Sequence, residues 1–312
     1  MSEHGGAIYL ISGKNMTRQS TNHILMIEPK EFYLNPETQE TNVYQVDEHE
    51  SHEKTLEKAL NEFRAYRDCL VSHGVTVTTF QGIEGCPDHI FPNWASTDPF
   101  GNLVLYPMLN ANRSAERISR ITDKLEQYYN LALDLRSEEK NGKALESTGS
   151  LVMDHVNRVV YMAMSPRSDI GLAQHWADNR EYELVVFNTR SHTGDPVYHT
   201  DLVMHIGTTY AGICSECIVD EDRKRVVSHL QKTHDVVEFD NSQLKAFCGN
   251  SLEVVDGEGH KVLAMSKAGQ LALRPEQKEQ ILTHMRVIIG TDIPTIEHYG
   301  GGSGRCLMME LF

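Results

Sequence analysis

The chain has 312 residues, of which 29 are Lys or Arg and 44 are Asp or Glu, so its formal net charge is −15. This acidic excess argues against nucleic acid and anionic membranes as partners, because both would repel the protein. No apolar run reaches the roughly 20 residues of a membrane span, and the apolar stretch at 6–12 lacks the basic flank of a signal peptide. We therefore expect a cytoplasmic protein with one large domain or two ordinary ones.

Helical periodicity marks several segments along the chain. In residues 51–73, apolar side chains recur every three or four positions, and Gly74 supplies a C-terminal stop. Similar patterns predict helices at 114–137, 221–233, 241–248 and 275–285, with Asn241 as a candidate cap and Pro275 as the first residue of the last helix.

Between these helices a β-hairpin pattern occurs twice. Residues 150–165 and 251–266 have equal length, open with Ser-Leu, close with Ala-Met-Ser, and carry a polar break between two apolar runs. Looser copies lie at 101–108 and 201–215. Because no Pro/Gly/Ser-rich linker divides the chain, this alternation predicts one pseudo-symmetric α/β domain.

Six cysteines in so long a chain do not make a disulfide framework. Cys214 and Cys217 have C-x-x-C spacing, but no second pair follows at the distance of a zinc ribbon. The segment also has the pattern of a strand and not of a helix N-terminus. We therefore interpret this pair as small buried side chains, with a metal or redox role as the less favoured alternative.

Four polar clusters fall at predicted strand ends or loops, where scaffolded sites usually lie. They are 91–98 (FPNWASTD), 146–150 (ESTGS), 199–201 (HTD), and the glycine run 300–302 before Cys306. Each also has a structural explanation. Asp98 can start a turn before Pro99, Glu146 can be a solvated loop charge, and 199–201 can form a surface pair on one face of a strand.

Together these clusters supply what cysteine chemistry requires. A cysteine nucleophile needs a histidine to move protons, the histidine needs a carboxylate to orient it, and further carboxylates can hold a cationic substrate. A metal site of His199, Asp201 and His205 is disfavoured, because 199 and 205 would lie about 20 Å apart along a strand. We expect no metal and no cofactor.

The same clusters resemble the guanidine-modifying, or pentein, superfamily over about residues 22–312. The resemblance rests on FPNWASTD at 91–98, Glu-x-x-Gly at 146–149, His-x-Asp at 199–201, FCGNSLEV at 247–254 and Gly-Gly-Gly-x-x-x-Cys at 300–306. The superfamily includes arginine deiminases, dimethylarginine hydrolases, agmatine deiminases and arginine:glycine amidinotransferases. The motifs are most similar to its bacterial deiminase and amidinotransferase-like branch, which contains citrulline hydrolases.

The resemblance implies a pseudo-five-fold α/β propeller, with a single domain at 22–312 behind a flexible segment at 1–21. It implies that Cys306 is the nucleophile, His199 the general acid/base and Glu146 its orienting partner. The substrate-binding residues that it implies are Asp98 and Asp201 at the guanidinium, Arg167 at an α-carboxylate, and Asn93. Two aspartates beside Cys306 would raise the pKa of its thiol, so we expect mostly thiol in the absence of substrate. The alternative for Arg167 is a surface arginine before a helical stretch at 168–178.

The function implied by the resemblance is a cysteine-dependent hydrolase. It would cleave the guanidino or ureido C–N bond of an arginine- or citrulline-like small molecule through a covalent thiouronium-type intermediate. The alternatives are an amidinotransferase with an amine acceptor and a non-catalytic small-molecule-binding relative. Many relatives read Glu-Gly-Gly-Asp where 146–149 read Glu-Ser-Thr-Gly, and the missing aspartate favours a ureido substrate slightly. Arginine, methylarginine, agmatine and citrulline all remain open, and a homo-oligomer is compatible with the sequence.

Overall fold

The strands are organised in a repeated three-stranded unit. The computed structural model describes residues 18–47 and 49–312, and in those residues the strands form five three-stranded sheets. In each sheet one short strand pairs antiparallel with the middle strand, and the middle strand pairs parallel with the outer one. A parallel pair requires a crossover connection, and helices supply it in every unit.

The first three units follow one another along the chain. Unit one contains β1 (His23–Glu28), α1 (His52–Ser72) and β2 (Thr76–Gln81). Unit two contains β3 (Ala95–Thr97), β4 (Asn102–Leu105), α2 (Ala111–Ser114), α3 (Ser119–Tyr128) and β5 (Asn130–Asp134). Unit three contains α4 (Ser147–Ser150), β6 (Val152–Asp154), β7 (Val159–Ala163), α5 (Ile170–Arg180) and β8 (Glu183–Phe187).

The last two units complete the ring. Unit four contains α6 (Thr200–Val203), β9 (Met204–Ile206), β10 (Tyr210–Cys214), α7 (Asp220–Leu230), β11 (Asp235–Phe239) and α8 (Asn241–Lys245). Unit five contains β12 (Leu252–Val255), β13 (Lys261–Ala264), α9 (Lys267–Ala272), α10 (Pro275–His284) and β14 (Ile288–Ile289). After α11 (Pro294–Gly300), β15 (Met309–Glu310) pairs with β1, so the end of the described chain closes the first unit.

The predicted pseudo-five-fold α/β propeller is confirmed by this repeat. Most described helices cross over between the strands that they connect, and their apolar faces pack on the sheets. In the first unit, for example, Phe63 and Tyr66 of α1 lie in one buried cluster with Ile24 and Met26 of β1. Clusters of this kind bury large apolar areas, which stabilises the fold. Among the described helices, none is both long and apolar enough to cross a bilayer.

The local helix predictions agree with the structure except where strand pairing intervenes. Helix α1 begins after Ser51, whose side chain accepts a hydrogen bond from the Lys54 backbone, and Gly74 follows it with φ +80°. The predicted helix at 114–137 is wrong in its second half, because α3 ends at Tyr128 and residues 130–134 pair in parallel with β4. The cap of α8 is Asp240 and not Asn241. Non-local pairing of β5 outweighs its helical periodicity.

The segment around the His-x-Asp motif also differs from the prediction. Residues Thr200–Val203 form a single helical turn, and the strand begins only at Met204. The hydroxyl of Thr200 holds this turn, since it donates to the Ser150 carbonyl at 2.6 Å and accepts from the Ala163 amide at 2.8 Å. The two motif residues therefore do not alternate along one face of a strand.

The N-terminal prediction is only partly covered by the structure. Of the segment 1–21, residues 1–17 lie outside the described residues. Gln19, Ser20 and Thr21 are buried, and their side chains bond to Met153, Glu253 and Leu311. The boundary at residue 22 stays a prediction, and these contacts lead us to propose that the domain includes residues 19–21.

Candidate active site

Cys306 lies in a short 3-10 turn, Arg305–Leu307, that follows α11 and the glycine run. Its backbone amide donates to the Ser303 carbonyl at 3.1 Å, which fixes the turn. The glycines leave space beside the thiol, because a Cβ atom at Gly302 would lie 3.2 Å from the Cys306 sulfur. The run therefore permits a close approach of backbone to sulfur.

The sulfur of Cys306 lies between a donor and an acceptor. Asn250 Nδ2 donates to it at 3.1 Å, and the thiol donates to Asp201 Oδ2 at 3.3 Å. Burial, and then the neighbouring charge of Asp201, raise the pKa of Cys306 well above its usual value. These two effects favour the protonated thiol over the thiolate, in the direction expected from the sequence.

His199 and Glu146 form a buried pair. His199 Nε2 lies 2.8 Å from Glu146 Oε2, and a carboxylate only accepts, so Nε2 carries the proton. Glu146 Oε1 accepts from the Leu109 backbone at 3.1 Å. Burial alone would raise the pKa of Glu146, but the charge of Arg167 and the hydrogen bond from His199 outweigh it and hold that pKa well below its usual range. Glu146 is therefore a standing anion that fixes the ring of His199.

The glycine of the Glu-x-x-Gly element, Gly149, leaves space for the His199 ring. A Cβ atom at Gly149 would lie 2.6 Å from the His199 ring and 2.4 Å from Asn93 Nδ2. Only glycine lets α4 pass so close to both side chains.

One cavity brings most of the predicted residues together. It has a volume of about 10 Å³, room for roughly one water molecule. Cys306, His199, Arg167 and Asn93 all line it, with Glu146 behind His199. Its wall is completed by Asn42, Asp88, Phe91, Arg113, Tyr198 and Gly300. We call this space the thiol cavity.

Asp98 lies elsewhere, which corrects its predicted role. Its carboxylate accepts from Asn102 Nδ2 at 3.0 and 3.1 Å and is paired with Arg180. It also accepts from the backbone amides of Phe100 and Asn102, so it closes the β3–β4 turn, and it does not line the thiol cavity. The turn alternative is the one that fits, because all of its contacts are local or lie on α5.

Asp88 is the carboxylate that sequence reasoning missed. It is buried and lines the thiol cavity, where Oδ2 accepts from Asn35 Nδ2 at 2.8 Å and from Thr38 Oγ1 at 3.1 Å. Its other oxygen, Oδ1, has no hydrogen-bond partner among the described residues. The signal in the sequence was its position five residues before Asn93, in the loop that opens the FPNWASTD motif.

Asp201 lies beneath the sulfur, between two cavities. It bonds to the Cys306 thiol but lines a second cavity of about 30 Å³, together with Arg305 and Glu310. Its Oδ1 has no partner among the described residues, and burial raises its pKa despite the nearby charges of His199 and Arg305.

Arg167 is buried, so its surface alternative does not hold. Nε and Nη2 donate to Thr41 Oγ1 at 3.0 and 2.8 Å, and Nη1 lies 3.5 Å from Glu146 Oε2. Its guanidinium stacks over the Tyr198 ring, with 4.6 Å between the guanidinium carbon and the ring centroid. The helix expected at 168–178 is α5, and its cap is Asp169.

The C-x-x-C pair is buried and away from the thiol cavity. Cys214 ends β10, and the Cys217 thiol donates to the Cys214 carbonyl at 3.1 Å. In the described part of the chain, the metal-ligating side chains close enough to share an ion are Asp256, Glu258 and His260, and Arg286 already bonds to all three. Neither cysteine belongs to that group.

Comparison with protein families matches almost the whole chain. Residues 28–312 match the family described as N,N dimethylarginine dimethylhydrolase, eukaryotic. No curated protein sequence matches the chain.

Solved structures share the fold at low sequence identity. The N-terminal domain of ArgZ, an arginine dihydrolase from Cyanobacteria, bound to substrate, is 16% identical with a TM-score of 0.72, over 92% of this chain and 97% of that one. Unliganded AgrE is also 16% identical with a TM-score of 0.72, over 93% of this chain and 39% of that one. A dimethylarginine dimethylaminohydrolase adduct is 13% identical with a TM-score of 0.63, over 95% of this chain and 100% of that one. The predicted pentein superfamily is confirmed.

Proposed function

The chain belongs to the N,N-dimethylarginine dimethylhydrolase family, and from that premise we propose that it is a cysteine hydrolase acting on the guanidino group of arginine or a methylated arginine. The family and the pentein fold support a hydrolase of guanidino compounds. The observation that carries the finer proposal is the unpartnered Asp88 oxygen in the thiol cavity, beside Cys306 and the His199–Glu146 pair.

A guanidinium would satisfy that oxygen. One carboxylate oxygen of Asp88 already accepts from Asn35 and Thr38. The other can accept N–H bonds from a ligand in the cavity. A charge-assisted bond of this kind orients the planar guanidinium. Asp201, with its own unpartnered oxygen beside the sulfur, is the second candidate carboxylate for the same group. We keep Asn93 as a further polar contact.

The reaction follows from these positions. The Cys306 thiol passes its proton to Nδ1 of His199, which lines the same cavity. The sulfur attacks the guanidino carbon and forms a C–S bond, and collapse of the adduct breaks the C–N bond to the departing amine. His199 supplies the proton that the amine takes, and Glu146 stabilises the ring while its charge changes. Water then attacks the thiouronium carbon, His199 accepts its proton, and the C–S bond breaks. Arginine would give citrulline and ammonia, and N,N-dimethylarginine would give citrulline and dimethylamine.

A cationic substrate would also favour the thiolate form of Cys306 over the thiol. Because burial and Asp201 raise the pKa of Cys306, the thiolate needs a compensating positive charge. A guanidinium brings that charge with it, whereas a neutral ureido group does not. This reverses the slight preference for a ureido substrate that the missing aspartate after Glu146 suggested.

Substrate entry requires a rearrangement of the segment 35–46, which we call the cover. A space of about 10 Å³ cannot hold an arginine-sized ligand. Thr41 of the cover bonds to Arg167, and Asn42 Nδ2 donates to the Gly300 carbonyl at 3.0 Å. We propose that a substrate α-carboxylate replaces the cover's contacts at Arg167.

The test is a substrate panel with the purified chain. Arginine, N,N-dimethylarginine, agmatine and citrulline are incubated separately, and ammonia, dimethylamine, citrulline and ornithine are quantified. We expect citrulline from arginine or its methylated form, no turnover by Cys306→Ser, and unchanged turnover by Cys69→Ser, a control on α1. Turnover of citrulline alone would replace the guanidino proposal by the ureido one. Transfer of the amidino group to an added amine, without hydrolysis, would make the protein a transferase.

A further inference from the structure

Asn250 makes four hydrogen bonds around the nucleophile. Its Nδ2 donates to the Cys306 sulfur at 3.1 Å and to the Asp201 carbonyl at 3.1 Å. Its Oδ1 accepts from the backbone amides of Arg305 at 2.9 Å and Cys306 at 3.3 Å. The side chain is fully buried. Both hydrogens and both lone pairs are therefore used, and each bond involves the nucleophile's turn or the His-x-Asp segment.

The backbone before Asn250 is shaped for this position. Phe247 has φ +60°, which a bulky side chain rarely adopts. A Cβ atom at Gly249 would lie 2.1 Å from the Leu202 carbonyl oxygen, so only glycine fits there. Conformations of this kind persist where the surrounding structure fixes them, and they cluster at functional sites. Here they bring an amide donor to the sulfur.

The chemistry of the amide determines what this contact does. An amide N–H can donate to the sulfur but cannot take its proton. It therefore favours the thiolate, which is the stronger acceptor, over the thiol. Asp201 acts on the same sulfur in the opposite sense, because its negative charge favours the thiol. The two side chains lie on the same atom, at 3.1 and 3.3 Å.

We propose that Asn250 is a further catalytic residue, which orients the Cys306 sulfur toward the thiol cavity and stabilises its thiolate against Asp201. This inference rests on the proposed role of Cys306 as nucleophile. In the activation step the S–H bond breaks, the electron pair stays on sulfur, and the proton moves to Nδ1 of His199, which later passes it to the departing amine. The net charge of the site is unchanged, because the negative charge gained by sulfur is matched by the positive charge gained by the imidazole, and the donor of Asn250 stays on the sulfur throughout.

Other charged or titratable groups also influence the protonation of the Cys306 thiol. Titratable or charged side chains that interact with Cys306 or with Asp201 are His199, Arg305, Tyr66 and Tyr198. A substitution at Asn250 leaves all of them in place, so a shift shared by Asn250→Asp, which adds a charge, and Asn250→Ser, which adds none, reports the loss of the amide donor.

The experiment measures the thiol without turnover. Iodoacetamide reacts with thiolates, so the rate of Cys306 alkylation against pH, followed by peptide mass spectrometry, gives the fraction of thiolate. Asn250→Asp keeps the shape and the acceptor for the two backbone amides but removes the donor and adds a carboxylate. We expect alkylation of Cys306 at pH 7.5 to slow at least tenfold, since one pKa unit corresponds to a factor of ten. The rate should return to the wild-type value at high pH.

A second variant and a control separate this effect from folding. Asn250→Ser is too short to donate to the sulfur, and we expect it to shift the profile in the same direction. Gln243→Glu replaces another buried amide, which donates to the Ala272 carbonyl at 2.9 Å on α9, and it should leave the Cys306 profile unchanged. If both Asn250 variants fold and their profiles superimpose on wild type, Asn250 is only structural and the inference is wrong. A shifted profile in a protein that turns over no guanidino compound would keep the inference and reject the proposed function.

Discussion

The imidazole of His199 and the carboxylate of Glu146 form a buried pair in which Nε2 and Oε2 lie 2.8 Å apart. His199 lines the same cavity as Cys306, with Glu146 behind it, and Arg167 approaches the same carboxylate oxygen to 3.5 Å. Glu146 is therefore bound by the acid/base candidate on one side and by a fixed positive charge on the other.

Replacement of Glu146 by Gln should impair chemistry more than binding. The amide keeps the shape but can present a donor to Nε2, which favours the wrong tautomer of His199. We expect kcat to fall about 10²- to 10⁴-fold with a small change in KM. Glu139→Gln is the matched control, because Glu139 binds Arg117 and the Met108 amide away from the cavity. Equal losses in both variants would contradict the assignment.

Asp88 and Asp98 should respond differently to the same substitution. Asp88→Asn leaves a bound guanidinium without its charge partner, and we expect kcat/KM for arginine to fall on the order of a thousandfold. Asp98→Asn breaks the pair with Arg180, so Tm should fall while kcat/KM stays within about threefold of wild type. Comparison of the two kcat/KM values shows which aspartate contacts the substrate. A larger loss in Asp98→Asn would restore the original prediction.

Arg167→Lys separates substrate binding from support of Glu146. Lysine keeps the charge but loses the planar fork that binds carboxylates. If Arg167 binds the α-carboxylate, kcat/KM for arginine should fall about a hundredfold and that for agmatine, which lacks this group, should change little. Equal losses on both substrates would show that Arg167 acts through Glu146.

A charged and a neutral alkylating agent should differ in their rates at Cys306. 2-Chloroacetamidine is cationic, whereas 2-chloroacetamide is its neutral isostere. Because burial and Asp201 raise the pKa of Cys306, we expect the amidine to label it more than tenfold faster at pH 7. The Asp88→Asn substitution should reduce the ratio of the amidine labelling rate to the amide labelling rate. Peptide mass spectrometry identifies the labelled residue, and predominant labelling of Cys214 or Cys217 would place the nucleophile elsewhere.

Glu310 should make stability depend on pH below neutrality. Burial, only partly offset by Arg305, raises its pKa to about 6 in the folded protein, while an unfolded Glu titrates at about 4.3. A raised acid contributes stability that is fully present below about pH 4.3 and is lost as pH rises through about 6. The Tm of Glu310→Gln, relative to wild type, should therefore rise between pH 4.5 and 7. Glu57→Gln, an exposed change on α1, should show no such trend.

Much of the fold was available from local patterns in the sequence. Helix α1 with its stop at Gly74, and the hairpins at 150–165 and 251–266, follow from short-range periodicity and turn residues. Strand β5 could not be predicted from local patterns, because its pairing with β4 outweighs a helical pattern that continues through residue 137. The turn at Thr200 could not be predicted either, because a buried hydroxyl bonded to Ser150 and Ala163 stabilises it.

The amino-acid sequence shows which chemical groups are present and roughly where along the chain they occur. It placed Cys306 after a glycine run, His199 in a His-x-Asp element and Glu146 in a Glu-x-x-Gly element, because each motif is local. Which carboxylate reaches the thiol cavity depends on contacts between segments that are distant in the chain. Asp88 and Asp98 are ten residues apart in similar loops, and Asp98 is bound by Arg180 from α5, a contact between distant segments. Asn250 could not be assigned from the sequence for the same reason. Its amide reaches the Cys306 sulfur only because the ring of five units brings residue 250 beneath residue 306.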